Sequence, residues 1–179
     1  TSWIMMFWPT IGYLGGVYYT KPPIAYKHRG WGAAAVFLLL GVATPLAAFL
    51  AQTNYTDYQV ILAFVPIACL VTAIMLANEI RDYHSDKLSG STTLVVTIGT
   101  SGGKLLYGLC LLGAYATILF GALRGFLPKA SLAVFLSTPL LLRLVSRLRR
   151  NHLLGLDYAT AQFYGTFCIL YTLVITLMN

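Results

Sequence analysis

Long apolar runs separated by short polar segments dominate the chain. Each run is close to the length of about 20 residues that an α-helix needs to cross about 30 Å of hydrocarbon. The pattern predicts transmembrane helices at residues 3–19, 33–50, 58–80, 104–123, 129–146 and 158–178. These six spans predict an all-α fold class, a polytopic transmembrane helix bundle in which residues 1–179 form a single domain.

Proline, glycine and one acid mark the predicted helix ends. Gly102-Gly103 is expected to precede the fourth span, and Asp157 is a candidate N-cap of the sixth. Residues 88–103 contain only a short apolar stretch, so we predict a loop or interfacial segment there. Prolines such as Pro45 and Pro139 predict kinks, which neighbouring helices can accommodate.

Composition excludes a water-soluble domain. Of 179 residues, 58% are hydrophobic and 9% are charged, whereas soluble domains carry roughly 25% charged residues. Lys and Arg number 12 and Asp and Glu number 5, which gives a net charge of +7. Because these charges lie between the apolar runs, we expect a membrane lipid environment and no nucleic-acid partner.

The basic residues are distributed unevenly between the two sides of the membrane. The side rich in basic residues receives Lys21, Lys27, Arg29, Arg81, Lys87, Lys104, Arg143, Arg147, Arg149 and Arg150. The other side receives Arg124 and Lys129. The positive-inside rule therefore predicts that the first side is cytoplasmic. This orientation puts both ends of the sequence outside, so we expect an odd number of further spans before Thr1.

An acidic motif, residues 78–90, lies on the predicted cytoplasmic side. Asp82 and Asp86 are four residues apart, so a continuous helix would put both on one face, with Asn78 one turn before them. Two adjacent carboxylates suit a divalent cation that bridges to a polyanion, and Mg²⁺ is commonly held by one or two carboxylates and substrate phosphates. The alternative is a solvated helix end at which Arg81 and Lys87 neutralise the acids.

A basic loop, residues 18–32, lies on the same side and is stiffened by Pro22 and Pro23. Its lysines and arginine could hold a phosphate. The alternative is an ordinary positive-inside loop with interfacial tyrosine and tryptophan side chains.

These two blocks together resemble the UbiA superfamily of intramembrane aromatic prenyltransferases, most closely its 1,4-dihydroxy-2-naphthoate polyprenyltransferase branch. One block is Tyr19-Thr20-Lys21-Pro22-Pro23 followed by Tyr26-Lys27-His28-Arg29-Gly30-Trp31-Gly32. The other is the segment from Asn78 to Leu94, similar to the branch's second aspartate-rich motif. The blocks occur in the family's order and are separated by two predicted spans.

The resemblance implies a fold of nine transmembrane helices around a central cavity, of which the six spans here are the fourth to ninth. The other aspartate-rich motif would precede them. The implied activity is Mg²⁺-dependent transfer of a prenyl group from a polyprenyl diphosphate to an aromatic acceptor, 1,4-dihydroxy-2-naphthoate, with loss of carbon dioxide, in menaquinone or phylloquinone biosynthesis. The implied membrane is the bacterial inner membrane or a thylakoid-type membrane.

The resemblance also implies roles for individual residues. Asp82 and Asp86 would bind the metal ion, with Asn78 assisting as a catalytic residue. The residues implied in substrate binding are Lys21, Lys27, Arg29, Arg81, Tyr26 and Tyr83.

Three alternatives remain open. Gly90-Ser91-Thr92 lacks the basic residue that usually follows the motif's glycine, and Ala33 replaces a common acid. The chain could therefore be a non-catalytic, prenyltransferase-derived subunit of a larger membrane complex. A CDP-alcohol phosphotransferase would need a DG, AR, G, DxxxD series, which this sequence lacks. A transporter would place its acids near the bilayer midplane.

Overall fold

The computed structural model describes residues 3–55 and 58–177, and within these ranges all regular structure is helical. The helices are α1 (Trp3–Thr20), α2 (Gly32–Thr53), α3 (Tyr58–Arg81), α4 (Tyr83–Leu88), α5 (Leu94–Arg124), α6 (Lys129–Arg149) and α7 (Leu156–Leu177). A short 3₁₀ turn, Tyr26–Arg29, lies in the basic loop.

Five of the six predicted membrane spans are confirmed. Among the described residues, α2, α3, α5, α6 and α7 are long and apolar enough to cross a bilayer. Helix α1 coincides with the first predicted span but is not one of these five helices. The chain is therefore an all-α, polytopic transmembrane helix bundle, and it is an integral membrane protein.

Helix α5 begins earlier than predicted. It contains 31 residues, about 46 Å at 1.5 Å per residue, which is longer than the hydrocarbon layer of about 30 Å. The loop prediction is wrong for residues 94–103, which are helical. The break lies at Gly99, whose φ of 77° and ψ of 163° are left-handed extended values that favour glycine. Gly102 and Gly103 stay inside the helix.

Changes of helix type precede two of the prolines. In α2 a π-helical segment, Val36–Ala43, comes before Pro45, and the Thr44 hydroxyl donates to the Leu39 carbonyl at 2.8 Å. In α6 a 3₁₀ segment, Lys129–Ser137, comes before Pro139. Proline has no N–H to continue an α-helical ladder, so these positions become boundaries between helix types.

Helix α3 lies at the centre of the bundle and packs against α2, α5 and α7. Leu70, Leu76 and Ala77 of α3 are fully buried. Phe163 and Phe167 of α7 are also fully buried, and their ring centroids are 6.1 Å apart. This central position fixes the end of α3, and therefore the acidic motif, which begins at Asn78 in the last turn of α3.

Removing the Tyr107 hydroxyl is expected to lower stability modestly. Tyr107 on α5 is 1% exposed, and its hydroxyl is 2.8 Å from the hydroxyl of Thr160 on α7. Tyr107→Phe removes this bond at a cost of about 1 kcal/mol, measured by thermal unfolding in detergent. In a Thr160→Val background the same substitution should cost much less, and an equal loss in both backgrounds would contradict the assignment.

Candidate functional site

The acidic motif keeps the helical spacing that the sequence predicts. Helix α3 ends at Arg81, and Asp82, with φ −90° and ψ 5°, connects it to α4. The Asp82 N–H donates to the Asn78 carbonyl at 2.9 Å, and the Asp86 N–H donates to the Asp82 carbonyl at 2.8 Å. Asn78, Asp82 and Asp86 therefore follow one another at intervals of one helical turn.

The Asp82 carboxylate is held by an arginine. Arg81 donates from Nε to Asp82 Oδ1 and from Nη2 to Oδ2, each at 2.7 Å. These charge-assisted hydrogen bonds hold the pKa of Asp82 below its ordinary value, because they stabilise the carboxylate. Sequence analysis allowed for neutralisation by Arg81 but not for a pair that engages both oxygens.

Arg81 also pairs with Asp157, which joins the end of α3 to the start of α7. The N-cap prediction for Asp157 is wrong: α7 begins at Leu156, so Asp157 lies in its first turn. Its carboxylate accepts from Arg81 Nη1. The Asp157 carboxylate therefore forms an ion pair with Arg81 and does not cap the helix.

Asp86 points toward the start of α5. Its side chain is half-buried, and Oδ2 is 3.5 Å from the Thr93 hydroxyl, at the limit of hydrogen bonding. Its backbone carbonyl accepts the Ser91 N–H at 2.9 Å. The Asp86 carboxylate is thus less engaged than that of Asp82.

Glu79 is a residue of this region to which sequence analysis gave no role. It is 4% exposed, and its Oε2 accepts the Val95 N–H at 3.0 Å, at the start of α5. The signal in the sequence was an acid at the end of a long apolar run, inside the acidic motif.

The basic loop packs directly on the residues that follow α4. His28 Nδ1 is 2.8 Å from the Ser91 hydroxyl. The Thr92 hydroxyl donates to the His28 carbonyl. The positive charge of Lys27 also helps to lower the pKa of Asp82. The structure therefore brings together the two blocks that sequence analysis singled out.

Tyr26 and Lys27 are neighbouring residues of the basic loop that are shielded in part from solvent. Both are half-buried, and Lys27 Nζ is 6.0 Å from the centroid of the Tyr19 ring. Tyr26 packs edge-on against Tyr19 and donates its hydroxyl to the Gly15 carbonyl. Partial burial raises the pKa of Tyr26 above its ordinary value.

The remaining predicted residues are more peripheral. Lys21 and Arg29 are exposed, and Arg29 Nη2 donates to the Pro23 carbonyl at 2.9 Å, within its own loop. Tyr83 is half-buried; its ring packs edge-on against His84, and Lys87 Nζ lies 5.9 Å from its centroid.

The acidic motif provides some, but not all, of the oxygen ligands that a hard divalent cation requires. Within residues 3–55 and 58–177, no three His, Cys, Asp or Glu side chains form a group that could hold a metal ion. Carboxylates of Asp82 and Asp86 would therefore need oxygen ligands from a substrate, which is how Mg²⁺ is commonly held. Arg81 must also share the Asp82 carboxylate with the metal ion or release it.

The relatives found by comparison with known proteins are named as prenyltransferases or prenyltransferase-domain proteins. 1,4-Dihydroxy-2-naphthoate octaprenyltransferase of Bacillus subtilis (strain 168) is 32% identical over 139 residues, which is 78% of this chain and 45% of that protein. UbiA prenyltransferase domain-containing protein 1 of Dictyostelium discoideum is 32% identical over 104 residues, 58% of this chain and 32% of that protein. The octaprenyltransferase of Mycobacterium leprae (strain TN) is 30% identical over 105 residues, 59% and 35% of the two chains.

The chain spans less than half the length of these relatives. No solved structure is significantly similar to it. The UbiA prenyltransferase family itself matches over residues 1–175, nearly the whole sequence. The resemblance stated from the two motif blocks is confirmed, and the chain belongs to the UbiA prenyltransferase family.

Proposed function

We propose that this chain forms part of an intramembrane aromatic prenyltransferase. The enzyme transfers a prenyl group from a polyprenyl diphosphate to an aromatic acceptor, 1,4-dihydroxy-2-naphthoate, in menaquinone or phylloquinone biosynthesis. Family membership supports prenyl transfer to an aromatic ring, and two relatives named as octaprenyltransferases support this acceptor. The observation that carries the proposal is the hydrogen bonding of His28 in the basic loop to Ser91 and Thr92, which directly follow the acidic motif and belong to the second motif block.

The acidic motif would hold the metal ion. Asp82 and Asp86 provide carboxylate oxygens and Asn78 assists, with Mg²⁺ as the ion. When bound, Mg²⁺ neutralises charge on the diphosphate leaving group. UbiA prenyltransferases generally depend on a divalent metal ion, and carboxylate and phosphate oxygens are ligands that Mg²⁺ prefers.

The basic residues would bind the diphosphate. Lys27 lies in the basic loop and Arg81 lies at the end of α3. Both can place positive charge on the diphosphate, where negative charge develops. Lys21 and Arg29 are exposed in the basic loop and would also contact the diphosphate. Tyr26 and Tyr83 present rings near these cations, and such rings can stabilise an allylic cation by about 0.5 to 2 kcal/mol.

We further propose how this domain sits in the membrane. The basic loop and acidic motif face the cytoplasm of a bacterial inner membrane, or the equivalent side of a thylakoid-type membrane. Residues 1–179 contribute their helices to one prenyltransferase domain. The prenyl tail would lie among the helices or in lipid, since each buried CH₂ contributes about 0.8 kcal/mol.

One observation favours a second candidate, a non-catalytic subunit of a larger membrane complex. Arg81 engages both oxygens of Asp82 and also pairs with Asp157. A guanidinium bound to both oxygens of a carboxylate supplies a counter-charge that a metal ion would otherwise supply.

An assay of the protein expressed from its full coding sequence separates the two candidates. Purified in detergent, it is expected to transfer a prenyl group from a polyprenyl diphosphate to 1,4-dihydroxy-2-naphthoate. EDTA should stop the reaction, and added Mg²⁺ should restore it. Product is measured by chromatography and mass spectrometry. Absence of product at saturating Mg²⁺ from a folded protein would contradict the enzyme proposal and favour the subunit.

A further inference from the structure

Glu79 carries a buried oxygen atom whose partner is missing. Its Oε2 is bound by the Val95 N–H, but Oε1 has no hydrogen-bond partner in the part of the chain that the structure describes. Leaving a buried acceptor unsatisfied costs about 1 to 3 kcal/mol, and more for a charged group. Oε1 therefore calls for a positively charged or hydrogen-donating partner that has no assignment yet.

The free oxygen faces the basic loop. A Cβ atom built on Gly32, at the end of the loop, would lie 3.5 Å from Glu79 Oε1. Lys27 is half-buried in the same loop, whereas the other basic side chains of the loop, Lys21, His28 and Arg29, are exposed. The Lys27 ammonium lies 6.0 Å from the centroid of the Tyr19 ring and forms no ion pair with Glu79 in the structure. Lys27 is therefore the one basic residue of the loop, all of which the structure describes, that is not fully exposed, and its four-carbon stem can move the ammonium toward this oxygen.

We propose that Glu79 is a positioning residue whose free oxygen pairs with the Lys27 ammonium and holds the basic loop over the acidic motif. This inference rests on the proposed function, because it places Lys27 at the diphosphate-binding end of the site. The four-carbon stem of lysine lets its ammonium exchange between nearby anions. Glu79 keeps Lys27 inside the site until a diphosphate arrives, so less ordering is required when substrate binds.

The pairing can be tested without substrate by trypsin cleavage after Arg29. This residue is exposed in the loop, and peptides that end there can be quantified by mass spectrometry. Glu79→Gln removes the charge but keeps an oxygen that can accept from Val95. It is expected to speed cleavage after Arg29 by about two- to tenfold, the range of a local ionic coupling. In a Lys27→Gln background, Glu79→Gln should leave the cleavage rate unchanged.

Thr72→Val provides the matched control on the same helix. Thr72 is 4% exposed and donates to its own helix, to the Ala68 carbonyl at 2.7 Å. This variant should leave the cleavage rate at wild-type level, which separates loop release from general loosening of α3. Equal acceleration by Glu79→Gln in the wild-type and Lys27→Gln backgrounds, or no acceleration in either, would overturn the proposal.

Kinetics supply a second readout that depends on catalysis. Glu79→Gln is expected to raise KM for the polyprenyl diphosphate several-fold while kcat stays within about twofold, as for a loss of binding without loss of chemistry. A fall in kcat at unchanged KM would contradict a positioning role. A folded wild-type protein without turnover would contradict the proposed function, yet the cleavage experiment would still report on the loop.

Discussion

Asp86→Asn is expected to abolish prenyl transfer while leaving the amount of folded protein unchanged. The substitution keeps the shape of the side chain but removes the charge that would hold a divalent cation and its diphosphate ligand. Among the described residues, the Asp86 side chain has one contact of hydrogen-bonding length, the 3.5 Å contact with Thr93, so its loss should cost little stability. Turnover at saturating Mg²⁺ and thermal unfolding in detergent are the two measurements.

Asp82→Asn is expected to have the same effect on turnover. It also removes part of the Arg81 pair, but Arg81 retains Asp157, and a partly exposed ion pair contributes about 0 to 1 kcal/mol. Arg124→Gln, which neutralises a charge at the opposite end of α5, serves as the control and should retain turnover. Near-normal turnover of either aspartate variant would refute the metal assignment.

Gly41→Ala is expected to cause a large loss of stability. Gly41 lies in the π-helical segment of α2, and a Cβ atom there would overlap both Cβ and Cα of Ala68 on α3. Ala68 is fully buried, so relief requires the two helices to separate. Such overpacking costs about 1 to 3 kcal/mol, occasionally more.

The control for this substitution is Gly108→Ala on α5. A Cβ atom at Gly108 meets nothing within 4 Å, and alanine favours a helix over glycine by up to about 1 kcal/mol. Thermal unfolding in detergent and the yield of folded protein should therefore fall for Gly41→Ala and not for Gly108→Ala. Equal unfolding temperatures for the two variants would show that α2 and α3 do not pack as described.

The spans could be predicted from the sequence because the requirement is local. Each helix that crosses a bilayer must supply a long apolar run, and every predicted span coincides with a helix in the structure. The backbone spacing of Asn78, Asp82 and Asp86 was equally predictable, since it follows from continued helical hydrogen bonding. The position of the break in α5 could not be predicted, because α5 contains several glycines and only Gly99 has non-helical φ and ψ values.

The sequence by itself determined an all-α membrane bundle and two polar motif blocks, because apolar length and helical periodicity depend only on neighbouring residues. Tertiary structure decided what those blocks touch. Arg81 meets Asp157, 76 residues later in the chain, and His28 meets Ser91, 63 residues later. Burial of Glu79 against Val95 depends on how α3 and α5 pack. Pairings across such separations arise only when whole helices are packed, so no local pattern in the sequence encodes them.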